Sequence, residues 1–161
     1  MNAKIPIYIV VLSFAILCCK NKTGKIESIP LGKVIHPYKN PYSSEKSALG
    51  EKLFFDQRLS KNNEISCATC HIPEKAFTDG KALAKGVEGR TAFRNTPSLW
   101  NVGFASVFMY DGEIKSLEEQ VLVPILDHNE MGAYMKEVVD KLKSDPEYQR
   151  ASKKTFNNVL S

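Results

Sequence analysis

The chain has 161 residues, of which 43% are hydrophobic and 25% are charged. These are ordinary values for a globular protein, so they exclude disorder as its main state, and the length suits a single domain with a real core. The net charge of +4 comes from 22 basic and 18 acidic residues that are spread along the chain, which excludes a nucleic-acid-binding stripe.

Residues 1–19 have the pattern of an export signal. A basic start precedes an apolar run over 5–17, which is shorter than the roughly 20 residues of a membrane span. The run ends in Cys18 and Cys19, and a cysteine at this place resembles the lipobox of bacterial lipoproteins, with Cys19 as the acylated residue. The alternative is a plain secretory signal. Both predict export to the periplasm, and the lipoprotein interpretation adds membrane contact only through a lipid anchor.

A tether and a mainly α domain are predicted after the signal. Residues 20–42 contain three prolines and many polar residues, which favours an extended arm, and residues 43–161 form the predicted domain. Ser44 is the predicted N-cap of a helix that reaches Phe55. From 56 to 100 turn signals dominate, and such a stretch is long for a loop without order of its own. We therefore expect something beyond side-chain packing to organise it.

Three helices are predicted in the C-terminal part. Ser116 and Glu119 form a capping box before a short helix that Pro124 ends. Apolar residues with helical spacing predict a second helix over 132–142, and Asp145 caps a third. No convincing alternating strand is present, so the predicted class is mainly α.

The haem prediction rests on a C-x-x-C-H motif at Cys67, Cys70 and His71. Cysteines three apart on one helical turn can each add to a haem vinyl group, and the histidine is then directed at the iron as an axial ligand. A redox disulfide would need a strand–helix context that is missing here. A zinc site would need a further ligand, and only the distant His36 and His128 remain. Covalent haem c is the favoured interpretation, so the predicted fold is a mainly α c-type cytochrome domain, with several short helices and long loops around one covalent haem.

The residues around this motif resemble the peroxidatic domain of bacterial di-haem cytochrome c peroxidases and the related MauG-type enzymes. The similarity covers roughly 44–156, and its ordered segments are Leu49-Gly50-Glu51-Lys52-Leu53-Phe54-Phe55-Asp56, Arg58-Leu59-Ser60, Ile65-Ser66 with the haem motif, Ala76-Phe77-Thr78-Asp79-Gly80, Arg94-Asn95-Thr96-Pro97-Ser98-Leu99, Asp111-Gly112, Leu117-Glu118-Glu119-Gln120 and Glu130-Met131-Gly132. Single segments are weak signals, whereas the ordered set is specific.

The resemblance implies an enzyme that reduces hydrogen peroxide to water with electrons from a small cytochrome c or copper protein. It places Glu130 on the distal side of the haem, where a carboxylate can move a proton between the two peroxide oxygens. It also implies that Gln120 hydrogen-bonds peroxide or water, and that Asn95 helps to hold calcium. From spacing alone, Glu130 would be an ordinary helix-start carboxylate, Gln120 a solvated helix residue and Asn95 a helix cap.

The sequence departs from the family pattern in three places. Val87 stands where many members carry a loop histidine that binds the iron, so we expect an open or water-filled distal site without a reductive switch. Met109 and Tyr110 stand where the family has Phe-Trp; Tyr110 could relay electrons, while Met109 is either core packing or an iron ligand. The chain matches one half of a two-haem enzyme, which suggests a partner haem domain or a homodimer. A mono-haem electron carrier and a MauG-like oxidase of a protein partner are the alternative functions.

Overall fold

The structure is a computed structural model that describes residues 32–158 and residue 160. The described residues from Val34 onward form one compact unit. The predicted export signal, with Cys18 and Cys19, lies outside the described residues. In the part of the chain that the structure describes, no helix is long and apolar enough to cross a membrane.

Short helices joined by loops make up this unit. The α-helices of the described residues are α1 (Ser44–Phe54), α2 (Cys67–Cys70), α3 (Leu117–Gln120), α4 (Leu122–Leu126), α5 (Met135–Lys143) and α6 (Pro146–Phe156). Single 3-10 turns occupy Gln57–Leu59, Pro73–Lys75, Val87–Gly89 and Val102–Phe104. Two isolated antiparallel bridges, Lys85 with Thr91 and Phe108 with Ile114, are the extended pairings recorded among these residues. The predicted mainly α class is confirmed.

Two of the three predicted helix N-caps are confirmed, and the third is shifted by one residue. Ser43, rather than the predicted Ser44, caps α1, because its extended backbone lets its hydroxyl accept a hydrogen bond from the Lys46 amide at 3.1 Å. The cap at Ser116 is confirmed, since its hydroxyl accepts from the Glu119 amide at 3.2 Å. Asp145 caps α6 as predicted, accepting from the Glu147 amide at 2.8 Å.

Two predicted helix boundaries were wrong. Pro124 does not end a helix but lies inside α4, in the first turn, where a missing N–H costs no intrahelical hydrogen bond. Gly132 has φ of +60° and therefore lies outside the helix that was predicted to start there, which begins at Met135. Residues 127–132 instead form a tight turn, in which the Glu130 and Gly132 amides both donate to the Asp127 carbonyl, at 3.0 and 2.9 Å.

The hydrophobic core joins the C-terminal helices to the segment before the haem motif. Its buried members are Leu59, Ile65, Val87, Ile125, Met131, Ala133, Val138, Leu142 and Tyr148, and Cys67 packs against them. None of the described residues from 93 to 124 belongs to this cluster. That stretch is rich in large apolar side chains that stay exposed, including Phe93, Trp100, Phe104 and Val121.

A hydrogen-bonded ion network holds α6 to the segment before the haem motif. The buried Tyr148 donates its phenol to Asp56 Oδ2 at 2.7 Å, and the Arg58 guanidinium bonds the same carboxylate. Arg58 also reaches Asp145 Oδ2 at 3.1 Å. The network therefore connects the segment just before the haem motif with two residues of the last helix: Asp145, which is the N-cap of α6, and the buried Tyr148.

Candidate functional site

The two motif cysteines lie on the single turn of α2. Ser66 and Thr69 shape its start, since the Ser66 amide donates to Thr69 Oγ1 at 3.0 Å. The turn closes through the His71 amide, which donates to the Cys67 carbonyl at 2.8 Å. Both thiols are free and partly buried. This is the arrangement that two thioether bonds to one porphyrin require.

The His71 ring is oriented by a backbone carbonyl. Its Nδ1 lies 3.0 Å from the Phe77 oxygen, and because a carbonyl can only accept, Nδ1 carries the proton of the neutral ring. The lone pair is then on Nε2, which is the form that binds iron. The neighbouring backbone is strained, since Ala76 and Phe77 have φ of +56° and +58° although neither is glycine.

The strained turn is held in place by the 96–98 segment. Ser98 Oγ donates to the Ala76 carbonyl at 2.6 Å, and Thr78 Oγ1 donates to the Thr96 carbonyl at 2.7 Å. These bonds lie on both sides of Phe77 and fix the direction of its carbonyl. Residue types and spacing gave no signal for this role, because the group that contacts His71 is a main-chain atom.

Glu130 lies on the 127–132 turn and near the haem motif. Burial, followed by the negative charge of Asp127, raises its pKa. Burial also raises the pKa of the Cys70 thiol, and the charges of Asp79 and Glu130 add to that rise, so both carboxylates are within electrostatic range of this thiol. The helix-start interpretation of Glu130 does not hold, since no helix begins before Met135 in this part of the chain.

Gln120 is the last residue of α3, and its side-chain oxygen is enclosed. Gln120 Oε1 has no hydrogen-bond partner among the residues that the structure describes. A buried amide oxygen without a donor is costly in a folded protein. The arrangement suits an oxygen that accepts a hydrogen bond from a bound molecule, and it does not suit a solvated helix residue.

Asn95 and Tyr110 are both exposed. Asn95 is not in or next to a helix, so the cap interpretation fails, and its calcium role stays a prediction. The Arg94 guanidinium lies 4.2 Å from the centre of the Tyr110 ring, and the electron-relay role of Tyr110 also stays a prediction. Within 32–158 no group of three or more His, Cys, Asp and Glu side chains is placed to hold a metal ion, so nothing here supports the zinc alternative.

The site fits a covalently attached haem on three observations. Two free thiols share one turn, His71 Nδ1 faces the Phe77 carbonyl and leaves Nε2 for the iron, and several large apolar side chains between 93 and 124 stay exposed outside the core cluster. A porphyrin would cover apolar side chains that otherwise face water. Fold and site together define a c-type haem domain.

Comparison with known proteins identifies the family. The family model for the di-haem cytochrome c peroxidases matches residues 44–161. The chain belongs to this family, whose members include the MauG-type enzymes, and the family implies a c-type haem as cofactor.

Relatives and solved structures agree with this assignment. The methylamine utilization protein MauG of Methylorubrum extorquens is 40% identical over 86% of this chain and 38% of its own length. The cytochrome c551 peroxidase of Pseudomonas aeruginosa is 37% identical over 72% of this chain and 34% of its own. A MauG-like protein associated with microbial copper homeostasis superposes with a TM-score of 0.74 at 35% identity, over 81% of this chain and 41% of that one. This chain thus spans about two fifths of the length of these relatives.

Proposed function

We propose that this domain binds one haem c through Cys67, Cys70 and His71 and reduces hydrogen peroxide to water. The observation that carries the proposal is Glu130, a half-buried carboxylate with a raised pKa that lies within electrostatic range of the Cys70 thiol. The electron donor is a small cytochrome c or a copper protein. A second haem domain or a second copy of the chain completes the electron path in this proposal.

The haem, once bound, supplies the iron at which the oxygen–oxygen bond of peroxide is cleaved. Glu130 carries out the proton transfer: its carboxylate accepts a proton from one peroxide oxygen and returns it to the departing oxygen. Because its pKa is raised, the Glu130 carboxylate binds the proton more tightly between accepting it and returning it. Gln120 Oε1 accepts a hydrogen bond from the peroxide or from the product water and so orients it.

Stopped-flow mixing of the haem-loaded protein with peroxide tests this role of Glu130. We expect Glu130→Gln to slow the reaction by about 10²–10⁴-fold, the usual contribution of general acid–base catalysis. Glu137→Gln, an exposed carboxylate in the first turn of α5, is the control and should react like the wild type. Absence of any reaction in the wild type would leave the electron-carrier function. An unchanged rate in Glu130→Gln would remove Glu130 from the mechanism.

Oxidation of a protein partner is the second candidate. It is favoured by the exposed Tyr110 ring, which lies under Arg94 at the surface and could exchange electrons with another protein. We also propose that Val87 leaves the distal side free of a histidine ligand. A bis-histidine low-spin EPR spectrum of the oxidised protein would contradict that proposal.

We propose a periplasmic location with a lipid anchor at Cys19. One acyl chain binds membranes only weakly, so lipoprotein-type multiple acylation is what would hold the protein there. Cys19→Ser should release the protein from the membrane fraction, while Cys18→Ser serves as the control and should stay bound. Equal partitioning of the two variants would count against acylation at Cys19.

A further inference from the structure

The hairpin formed by residues 84–92 packs directly against the turn that carries Glu130. Its two arms are paired through the Ala92 amide and the Ala84 carbonyl at 3.0 Å, and through the Gly86 amide and the Arg90 carbonyl at 2.9 Å. At its tip the Val87 amide donates to the Glu130 carbonyl at 2.7 Å. The hairpin therefore bonds the backbone of the candidate catalytic residue itself.

The contact leaves no space between the two segments. Gly86 is buried, and a Cβ atom there would lie 1.9 Å from the Asn129 carbonyl oxygen and 2.7 Å from the Glu130 carbonyl oxygen. The Val87 side chain is completely buried in the core, and its Cγ2 would lie 3.1 Å from a Cβ at Gly132. Val87 therefore contributes packing against the Glu130 turn.

Charged side chains close the same junction from the solvent side. The Glu88 carboxylate bonds both Arg90 and Lys61, the latter at 2.9 Å, and Arg90 Nη1 donates to the His128 carbonyl at 3.0 Å. The Lys61 amide donates to the Met131 carbonyl at 2.9 Å. Glu88 thus links the hairpin to Lys61, while Arg90 and Lys61 each bond a residue of the Glu130 turn.

Glu88 adopts a costly backbone conformation to make these contacts. Its φ is +57°, in the left-handed region that non-glycine residues rarely occupy. The next residue, Gly89, has φ of +72°. Strain of this kind persists where the surroundings determine the conformation, and here the surroundings are the two cations that the carboxylate holds.

We propose that the 84–92 hairpin positions Glu130 for proton transfer, with Gly86 and Glu88 as positioning residues. The inference rests on the proposed function of Glu130 and adds the element that fixes its place. A displacement of about 1 Å can cost about 10²-fold in rate, so a hairpin that presses on the Glu130 backbone is a sensitive determinant of activity.

The test compares two carboxylates that each hold two cations at the surface. Glu88 pairs with Lys61 and Arg90, and Asp140 on α5 pairs with Lys136 and Lys143; the two carboxylate side chains are 39% and 38% exposed. We expect Glu88→Gln to lower the bimolecular rate with peroxide at least about threefold and to increase deuterium exchange at the Val87 amide. Asp140→Asn is the matched control and should change neither quantity.

Gly86→Ala is the stronger perturbation, and a double-mutant cycle separates positioning from general destabilisation. We expect Gly86→Ala to slow the wild-type reaction by about 10–100-fold but to have less than a twofold effect in the Glu130→Gln background. Equal effects in both backgrounds would overturn the inference. So would a wild-type rate in Glu88→Gln with unchanged exchange at Val87. If Glu130→Gln alone has no effect, the proposed function fails, whereas Val87 exchange in Glu88→Gln still reports on the contact.

Discussion

Tyr148→Phe removes one hydrogen bond from a buried carboxylate and leaves the surrounding packing unchanged. The tyrosine side chain is 1% exposed, and its hydroxyl donates to Asp56 Oδ2 at 2.7 Å. The ring also lies 4.6 Å from Lys52 Nζ and 5.1 Å from the Arg58 guanidinium carbon, and phenylalanine preserves both contacts. The substitution therefore isolates the bond between the phenol and the carboxylate.

The magnitude follows from the pKa of Asp56. Burial acts to raise this pKa, but hydrogen bonds from Arg58 and Tyr148 outweigh burial and lower it from 3.8 to about 2. A shift of this size corresponds to about 2 kcal/mol of stability at neutral pH, and the Asp56 side chain is only 10% exposed, so solvent screening is small. The hydrogen bonds from Arg58 to Asp56 remain in the variant. We expect Tyr148→Phe to lower the free energy of unfolding by about 1.5 kcal/mol at pH 7.

The destabilisation caused by Tyr148→Phe should become smaller as the pH falls. A folded-state pKa below the unfolded value stabilises the protein above the unfolded value, and this stability disappears as the pH falls through the folded value. For Asp56 the window runs from about pH 4 to about pH 2. The difference in unfolding free energy between wild type and Tyr148→Phe should therefore shrink across this window.

Urea unfolding of the haem-loaded protein at pH 7, 5, 3.5 and 2.5 measures the effect. Tyr134→Phe is the control, since that side chain is 72% exposed, and it should stay within about 0.5 kcal/mol of the wild type. A Tyr148→Phe difference below about 0.5 kcal/mol at pH 7 would refute the reasoning. A difference that stays constant from pH 7 to pH 2.5 would show that the carboxylate is not involved.

Three further predictions concern residues around the haem motif. Ser98→Ala removes the donor to the Ala76 carbonyl; because this loosens the Phe77 carbonyl that bonds His71, the imidazole becomes a weaker donor to iron and the haem midpoint potential should rise, with recovery in Ser98→Thr. Asp145→Ala should cost about 1 kcal/mol in thermal unfolding, because it removes both the cap on the Glu147 amide and the ion pair with Arg58; Asp145→Asn should cost less, since an amide oxygen still accepts from the Glu147 amide while the ion pair is lost. Cys70→Ala should leave one thioether, visible as a red-shifted pyridine haemochrome, and a spectrum identical to the wild type would place the attachment elsewhere.

Local chemistry made parts of this fold predictable. The caps at Ser116 and Asp145 depend on side chains that bond amides two or three residues along the chain, so the sequence contains the whole interaction. The C-x-x-C-H turn is local in the same way, since its geometry follows from helical spacing between Cys67 and His71. Predictions of this kind need no knowledge of distant contacts.

Features that depend on tertiary contacts or on main-chain atoms could not be predicted from the sequence. Gly132 was predicted to begin a helix, but its left-handed φ serves the turn that folds back onto Asp127. Val87 could be recognised as unable to bind iron, yet its burial depends on contact with the Glu130 turn, which lies about 40 residues further along the chain. The Phe77 carbonyl was missed because the role belongs to a main-chain atom in a strained turn.

The 127–132 turn and the 93–124 stretch differ in the contacts that hold them in place. The 127–132 turn is held by core residues such as Met131 and by backbone bonds to Pro124, Lys61 and Val87, all of which are protein contacts. The 93–124 stretch contributes no member to that core, and its large apolar side chains need another surface to cover them. The position of Glu130 is thus fixed by contacts within the polypeptide, whereas a bound haem would cover apolar side chains of 93–124 that otherwise face water.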